Sequence, residues 1–171
     1  MNVVRQAVLL SAILAATQAS FGGTALAADD KDEKKVGAVS DQVKEFTTAF
    51  AGKKIDDAMK AVGTPFTYGR HKAIKVYKTK QEVQALFKQQ APGPHKWDSK
   101  DGSWSDPVPA LKYIAKVEAK VIKPAIMSAL GKNEGYITLH GVEMGKDIRI
   151  ALVLTAIKDG KPVVVGLFFD E

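Results

Sequence analysis

The chain contains 171 residues, with 25 lysines and arginines, 19 aspartates and glutamates, a net charge of +6, 46% hydrophobic residues and no cysteine. This length and composition predict a single globular domain and exclude an intrinsically disordered chain. The absence of cysteine excludes disulfide bonds, thiolate catalysis, cysteine-ligated zinc or iron–sulfur sites, and the acylated cysteine of a bacterial lipoprotein anchor.

Residues 1–27 have the three parts of a secretory signal peptide. Arg5 supplies the positive charge, residues 7–16 form a short apolar core, and Ala25-Leu26-Ala27 is a small-residue cleavage site before Ala28. The apolar run is shorter than the about 20 residues of a membrane span, although an uncleaved anchor is the alternative. We expect a secreted or periplasmic protein without a membrane span after cleavage. It would have 144 residues and a net charge of +5, because Arg5 is the only charged residue removed.

The remaining chain divides into a polar tether, residues 28–35, and one domain, residues 36–171. A first helix is predicted from about Gly37 to Ala51, because apolar residues recur at helical spacing. These residues are Val36, Val39, Val43, Phe46 and Phe50. A second, short helix starts near Ile55 and is predicted to end at Gly63.

A weak strand pair, residues 66–68 and 73–77, is predicted next. Thr79 and Glu82 have the spacing of a capping box, in which each residue caps the other at the start of a helix. This third helix has an apolar face of Val83, Leu86 and Phe87, and prolines end it.

Residues 91–110 differ in character from the rest of the domain. They contain four of the seven prolines and both tryptophans, Trp97 and Trp104. A connection of this length is typically either functional or loosely structured. The two tryptophans either fasten this loop to the core or offer flat surfaces to a ligand, and they are the candidate lid.

The last third of the chain is predicted to be mostly β-structure. Residues 111–122 alternate apolar and polar side chains, which predicts a long antiparallel strand. A connection with a helical turn at residues 125–130 follows. Three more strands are then predicted, at residues 136–144, 148–157 and 163–169, with hairpin turns at Gly145-Lys146 and Asp159-Gly160. The second of these strands is apolar on both faces and is therefore expected at the centre of the sheet.

This order of elements resembles the NTF2-like (SnoaL-like) superfamily over residues 36–169. Local features that look similar are the segment 52–59, the strand start Thr64-Pro65-Phe66, the helix at 80–83, and the ending strand, Asp-Gly turn and strand at 150–168. The resemblance implies an α+β fold, a cone in which a curved antiparallel sheet wraps around three N-terminal helices. A cystatin-like sheet around one helix is the main competitor. The superfamily includes both small-molecule enzymes and non-catalytic binding domains, so the fold does not decide the function.

Five residues are candidates to line a pocket inside such a cone. They are Tyr68, Tyr136, Thr138, His140 and Glu143. Tyr136, Thr138 and His140 alternate along one strand, and they line a pocket if that strand face points into the cone or lie on the surface if it does not. Enzymes of the superfamily use a buried carboxylate, and the strand candidates Glu118 and Glu143 both favour surface positions.

We therefore expect an exported, non-catalytic domain that binds a small apolar ligand or a protein partner. A lyase- or isomerase-type enzyme using the cone cavity is the alternative. The sequence has no metal-ligand motif, no phosphate-binding loop and no arginine-rich cluster, so we expect no metal, no cofactor and no nucleic-acid partner. A homodimer through an exposed face of the sheet is a further expectation.

Overall fold

A computed structural model describes residues 30–70, 73–90, 105–116, 122–144 and 147–169. The predicted signal peptide, both tryptophans and the Gly145-Lys146 turn lie outside these residues. Residues 34–171 form one compact unit. Its elements, with the whole first helix included, are α1 (Asp30–Ala51), α2 (Ile55–Lys60), β1 (Val62–Arg70), β2 (Ala73–Tyr77), α3 (Lys80–Gln90), β3 (Val108–Pro109), α4 (Ala110–Lys116), α5 (Ile122–Leu130), β4 (Gly135–Met144), β5 (Asp147–Lys158) and β6 (Lys161–Phe169).

The strands form one curved, six-stranded sheet in the order β2-β1-β6-β5-β4-β3. This confirms the predicted α+β class. The sheet is mixed, not antiparallel throughout, because β1 and β6 run parallel while every other neighbouring pair is antiparallel. The predicted central strand is confirmed, because β5 lies between β6 and β4.

Helices cover both faces of the sheet. Helices α1, α2 and α3 pack on one face, which we call the α1 face, and α4 and α5 pack on the other, the α5 face. Alternate residues of β5 divide between the two faces as a pleated strand requires: Ala151 and Val153 belong to the α1 face, Leu152 and Leu154 to the α5 face. The homodimer expected through an exposed sheet face therefore meets a face that α4 and α5 already cover.

The first helix follows its predicted apolar stripe but starts earlier. Val39, Val43, Phe46 and Phe50 are buried, whereas the helix begins at Asp30, so residues 30–35 of the predicted tether are helical. Phe46 and Phe50 form an aromatic cluster with Phe87 of α3 and Phe66 of β1, at centroid separations of 4.9 to 5.9 Å. This cluster fills the part of the α1 face next to β1 with side chains.

The strand predicted at residues 111–122 is wrong. Residues 110–116 form α4 and Ile122 begins α5, while residues 117–121 are outside the described part. Ala110 and Ile114 are buried four residues apart, and Leu111 is 64% exposed. This is the spacing of a helix face, and the alanine, leucine and lysine content of the segment also favours a helix.

Two short-range predictions are confirmed and one is wrong. Asp159 and Gly160 both have positive φ angles, 51° and 75°, as a two-residue type I′ hairpin requires. In the capping box, the Glu82 N–H donates to Thr79 Oγ1 at 3.2 Å, and the Thr79 N–H donates to Glu82 Oε2 at 3.0 Å. Gly63, predicted to end α2, lies in β1, where an added Cβ would come within 2.9 Å of a Val163 methyl group.

Candidate functional site

Four of the predicted pocket residues share the α1 face. Tyr136 and Tyr68 pack with the core of that face, and Thr138 and His140 follow Tyr136 at the alternate positions of the unbroken β4–β5 ladder. Tyr136 pairs with Thr155, Thr138 with Val153, and His140 with Ala151. Tyr136, Thr138 and His140 therefore share one face of β4, which is the alternation predicted from the sequence.

Two buried hydroxyl groups on this face have no hydrogen-bond partner in the described part of the chain. They are Thr138 Oγ1 and Thr155 Oγ1, on side chains that are 2% and 0% exposed. The two threonines are diagonal neighbours, because Thr155 lies opposite Tyr136 and Thr138 lies two residues further along β4. A buried hydroxyl without a partner costs about 1 to 3 kcal/mol. Thr155 was not among the residues predicted from the sequence, although it is the one polar residue among Ala151–Ile157.

His140 is completely buried next to Thr138 on the same face. Loss of hydration on burial lowers the pKa of the His140 imidazole to about 4. The ring is therefore neutral at neutral pH. A neutral imidazole has one nitrogen that donates a hydrogen bond and one that accepts.

Thr138, Thr155 and His140 make a buried polar strip along the β4–β5 side of the α1 face. We use "polar strip" for these three residues. The small side chain of Ala151 lies beside His140, and Phe169 of β6 lies beyond it in the same cross-strand row. The row that starts at His140 therefore continues with the apolar residues Ala151 and Phe169.

Tyr136 is tied to a different group. Its hydroxyl donates to Glu134 Oε1 at 2.6 Å, and Lys35 Nζ of α1 donates to Glu134 Oε2 at 3.0 Å. The Tyr136 hydroxyl first, and then Lys35, lowers the pKa of the Glu134 carboxyl. The single Tyr136 hydroxyl proton is thus engaged at the start of β4, and this residue joins α1 to the sheet.

Tyr68 lies far from the strip along the sheet. The row that contains it runs through Leu167 and Val153 before it reaches Thr138, which is three strand spacings or roughly 14 Å away. The Tyr68 ring contacts the Phe169 ring edge-to-face, with centroids 5.9 Å apart. Tyr68 and Phe169 are both half-buried, whereas the polar strip is fully buried.

The remaining candidates are outside the described side chains. The backbone of Glu143 pairs with Ile148 in the β4–β5 ladder, and its side chain is not described. Trp97 and Trp104, the candidate lid, also lie outside. The first described residue after them, Ser105, exchanges two hydrogen bonds with Leu139, next to His140: its N–H donates to the Leu139 carbonyl at 3.0 Å, and its Oγ accepts from the Leu139 N–H at 2.9 Å.

Few ionisable side chains are buried among the residues whose burial the structure describes. The buried polar residues in this set are four threonines and His140, with no carboxylate; residues 141–150 are not in it. Within the same described ranges, no three histidine, aspartate or glutamate side chains come together as metal ligands. None of the described helices is long and apolar enough to cross a membrane.

Comparison with known proteins identifies the fold. The sequence matches no protein-family model and no curated protein. An NTF2-like protein of unknown function from Pseudomonas putida KT2440 is similar in structure, with a TM-score of 0.50 and 11% identity over 81% of this chain and 87% of that chain.

Two further similar structures are a protein of unknown function with a cystatin-like fold from Nostoc punctiforme and a ketosteroid isomerase-like protein from Erwinia carotovora. Their TM-scores are 0.46 and 0.39, their identities 10% and 8%; the matches cover 78% and 80% of this chain and 87% and 95% of those chains. The molecule is an α+β domain with helices packed against a curved sheet, as its own elements and strand order show. Its fold is NTF2-like, as the sequence resemblance predicted.

Proposed function

We propose that this domain binds a small, mostly apolar ligand over the polar strip of the α1 face. The observation that carries the proposal is the pair of buried hydroxyls, Thr138 and Thr155, without partners in the described part of the chain. A ligand that supplies a hydrogen bond there removes the free-energy cost of leaving these groups unsatisfied. The phenylalanine cluster next to β1 restricts the proposed site to the β4–β5 side of the face.

The surroundings define the chemistry of the ligand. Ala151, Val153 and Leu167 around the strip are apolar and buried, so a ligand with a hydrocarbon body fits this environment. Its polar group is neutral, because burying a charge without an opposite charge is costly. A hydroxyl or carbonyl group on the ligand satisfies a threonine hydroxyl.

A lyase- or isomerase-type enzyme is the second candidate, favoured by the position of His140 inside the fold. Such chemistry needs a group whose pKa lies near the working pH. The His140 pKa of about 4 makes it a weak base, and no carboxylate is among the buried side chains that the structure describes, which do not include Glu143. These two facts support binding over catalysis.

Paired probe molecules test the binding proposal. Naphthalene and 2-naphthol share a hydrocarbon body and differ by one hydroxyl, so we expect wild-type protein to bind 2-naphthol more tightly, measured by isothermal titration calorimetry. The double variant Thr138→Val with Thr155→Val removes both hydroxyls at nearly constant shape. It should weaken 2-naphthol binding about two- to tenfold, which corresponds to the net free energy of one hydrogen bond. Naphthalene should bind with unchanged or higher affinity.

A matched control is Thr67→Val. Thr67 Oγ1 is also buried without a partner in the described part, but Thr67 alternates with Phe66 and Tyr68 of the α1 face and pairs with Val76. This control should leave the binding of both probes unchanged. Equal binding of the two probes to wild type, or no binding of either, would contradict the proposal.

The same proposal includes export from the cytoplasm. Its support is the N-terminal pattern of Arg5, the apolar residues 7–16 and the Ala25-Leu26-Ala27 cleavage site. A neutral apolar ligand crosses membranes readily, so the proposed site is compatible with a location outside the cytoplasm.

A further inference from the structure

Strand β2 is an edge of the six-stranded sheet. It pairs with β1 through Ala73–Tyr77, and no other strand in the described part of the chain pairs with its second side. Within the described residues, Ala73–Tyr77 make no further backbone–backbone hydrogen bond outside the β1 ladder. An edge strand of this kind presents a row of N–H and C=O groups that another extended chain can pair with.

A groove runs beside this edge, between β2 and α3, with a volume of about 500 Å³. It is lined by Lys75, Val76, Tyr77, Glu82, Ala85, Leu86 and Gln89. Leu86 is nearly buried, at 7% exposed, whereas Val76 is 44% exposed. An extended chain in the groove would have the β2 backbone on one side, the helix on the other and apolar side chains below. This is the arrangement in which peptides add a strand to an exposed sheet edge.

The charges around the groove are mostly positive. Lys75 lines it, and Lys78, Lys80 and Lys88 are exposed on β2's end and α3. The one acidic lining residue, Glu82, directs its carboxylate to the Lys78 and Thr79 N–H groups, at 2.7 and 3.0 Å, where it caps α3. An incoming chain therefore meets a positive rim.

These lysines also argue against a second copy of this chain as the occupant. Two antiparallel β2 strands would bring their lysines close together, and like charges on paired strands are destabilising. Lysine on an edge strand is a common device against self-association. The same charges attract an acidic chain.

We propose that the β2–α3 groove binds an extended, acidic peptide segment of a partner protein, which pairs with β2 and extends the sheet by one strand. The alternating apolar residues of the segment contact Leu86 and Tyr77, and its acidic residues contact Lys75 and Lys78. This surface is separate from the polar strip, so the proposal does not depend on ligand binding there.

Three fluorescein-labelled peptides test the proposal by fluorescence anisotropy with residues 28–171. One alternates glutamate and valine, the second alternates lysine and valine, and the third is the glutamate peptide with alternate backbone nitrogens methylated. We expect only the first to bind, because the second is repelled and the third cannot form the ladder hydrogen bonds. Failure of the glutamate peptide to bind at millimolar concentration, or equal binding of the methylated peptide, overturns the proposal.

Variants locate the binding surface. Lys75→Glu should weaken binding of the glutamate peptide about tenfold, and Ala85→Trp, which fills the groove from the exposed side of α3, should abolish it. Lys132→Glu makes the same charge change in the exposed turn after α5 and should have no effect. Equal weakening by Lys75→Glu and Lys132→Glu would mean that only net charge matters and would overturn the proposal. The proposal would also be overturned if the protein forms a dimer that Lys75→Glu disrupts.

Discussion

His140 makes the stability of the protein depend on pH. Its folded-state pKa of about 4 lies below the value of 6.5 for an unperturbed histidine. Between these pH values the unfolded chain binds more protons than the folded one, so stability falls as the pH is lowered from 6.5 to about 4 and is level below that. The loss over this window is on the order of 3 kcal/mol. Urea denaturation at a series of pH values measures it.

Two variants separate this effect from those of the acidic groups. His140→Gln keeps a polar, non-titrating side chain and should flatten the stability profile above pH 4.5. Glu134, whose lowered pKa stabilises the fold, loses that contribution only below its usual value of 4.5. Glu134→Gln should therefore leave the slope between pH 6.5 and 4.5 intact. A wild-type profile without this slope would mean that His140 is not desolvated.

The residues of the candidate site were predictable to different degrees. Alternation along β4 placed Tyr136, Thr138 and His140 on one face, because a strand repeats every two residues. The alternation does not indicate that the Tyr136 hydroxyl is engaged by Glu134, since this depends on where α1 brings Lys35. Thr155 could be assigned to the candidate site only from the structure, in which it pairs across from Tyr136 in the β4–β5 ladder.

At the scale of elements, the capping box of α3 is testable. Thr79→Ala removes the hydroxyl that accepts from the Glu82 N–H, and we expect it to lower the free energy of unfolding by about 1 kcal/mol. Thr79→Ser keeps the acceptor and should retain most of the stability. Urea denaturation compares the two variants, and an equal loss in both would mean that the cap does not stabilise the helix.

The elements that were predicted correctly have either a clear periodicity or clear boundaries in the sequence. α1 and α3 have clear helical stripes, and β4, β5 and β6 are bounded by turns or hairpins. α4 was misassigned because its short segment also fits a two-residue alternation, in which Leu111 and Tyr113 share a face. The segment is helical because Ala110 and Ile114, four residues apart, both pack on the α5 face. The local sequence pattern alone does not show which of the two periodicities is buried.

At the scale of the whole molecule, export and oligomeric state are measured on the same sample. Expressed with residues 1–27 in a bacterium that has a periplasm, the protein should be recovered there with an intact mass that starts at Ala28. Ala27→Phe should block processing, because the cleavage site requires a small residue. An unprocessed wild-type chain would support the alternative of an uncleaved anchor.

Light scattering of the same processed protein tests the predicted homodimer. A dimeric mass would support it, and a strictly monomeric mass would contradict it. A dimer would have to use the outer surfaces of these helices, where Leu111 and Met127 are 64% and 42% exposed. In that case Leu111→Glu should dissociate it.

The position of β6 governs when this fold can form during synthesis. β6 lies between β1 and β5, and it supplies Val164 and Leu167 to one core and Val165 and Phe168 to the other. Until residues 161–169 have left the ribosome, β1 and β5 have no strand between them and both cores are incomplete. Because the pairing of β1 with β6 joins segments about a hundred residues apart, the closing step is non-local and slow. Until those residues have been synthesised, the nascent chain therefore cannot complete either core.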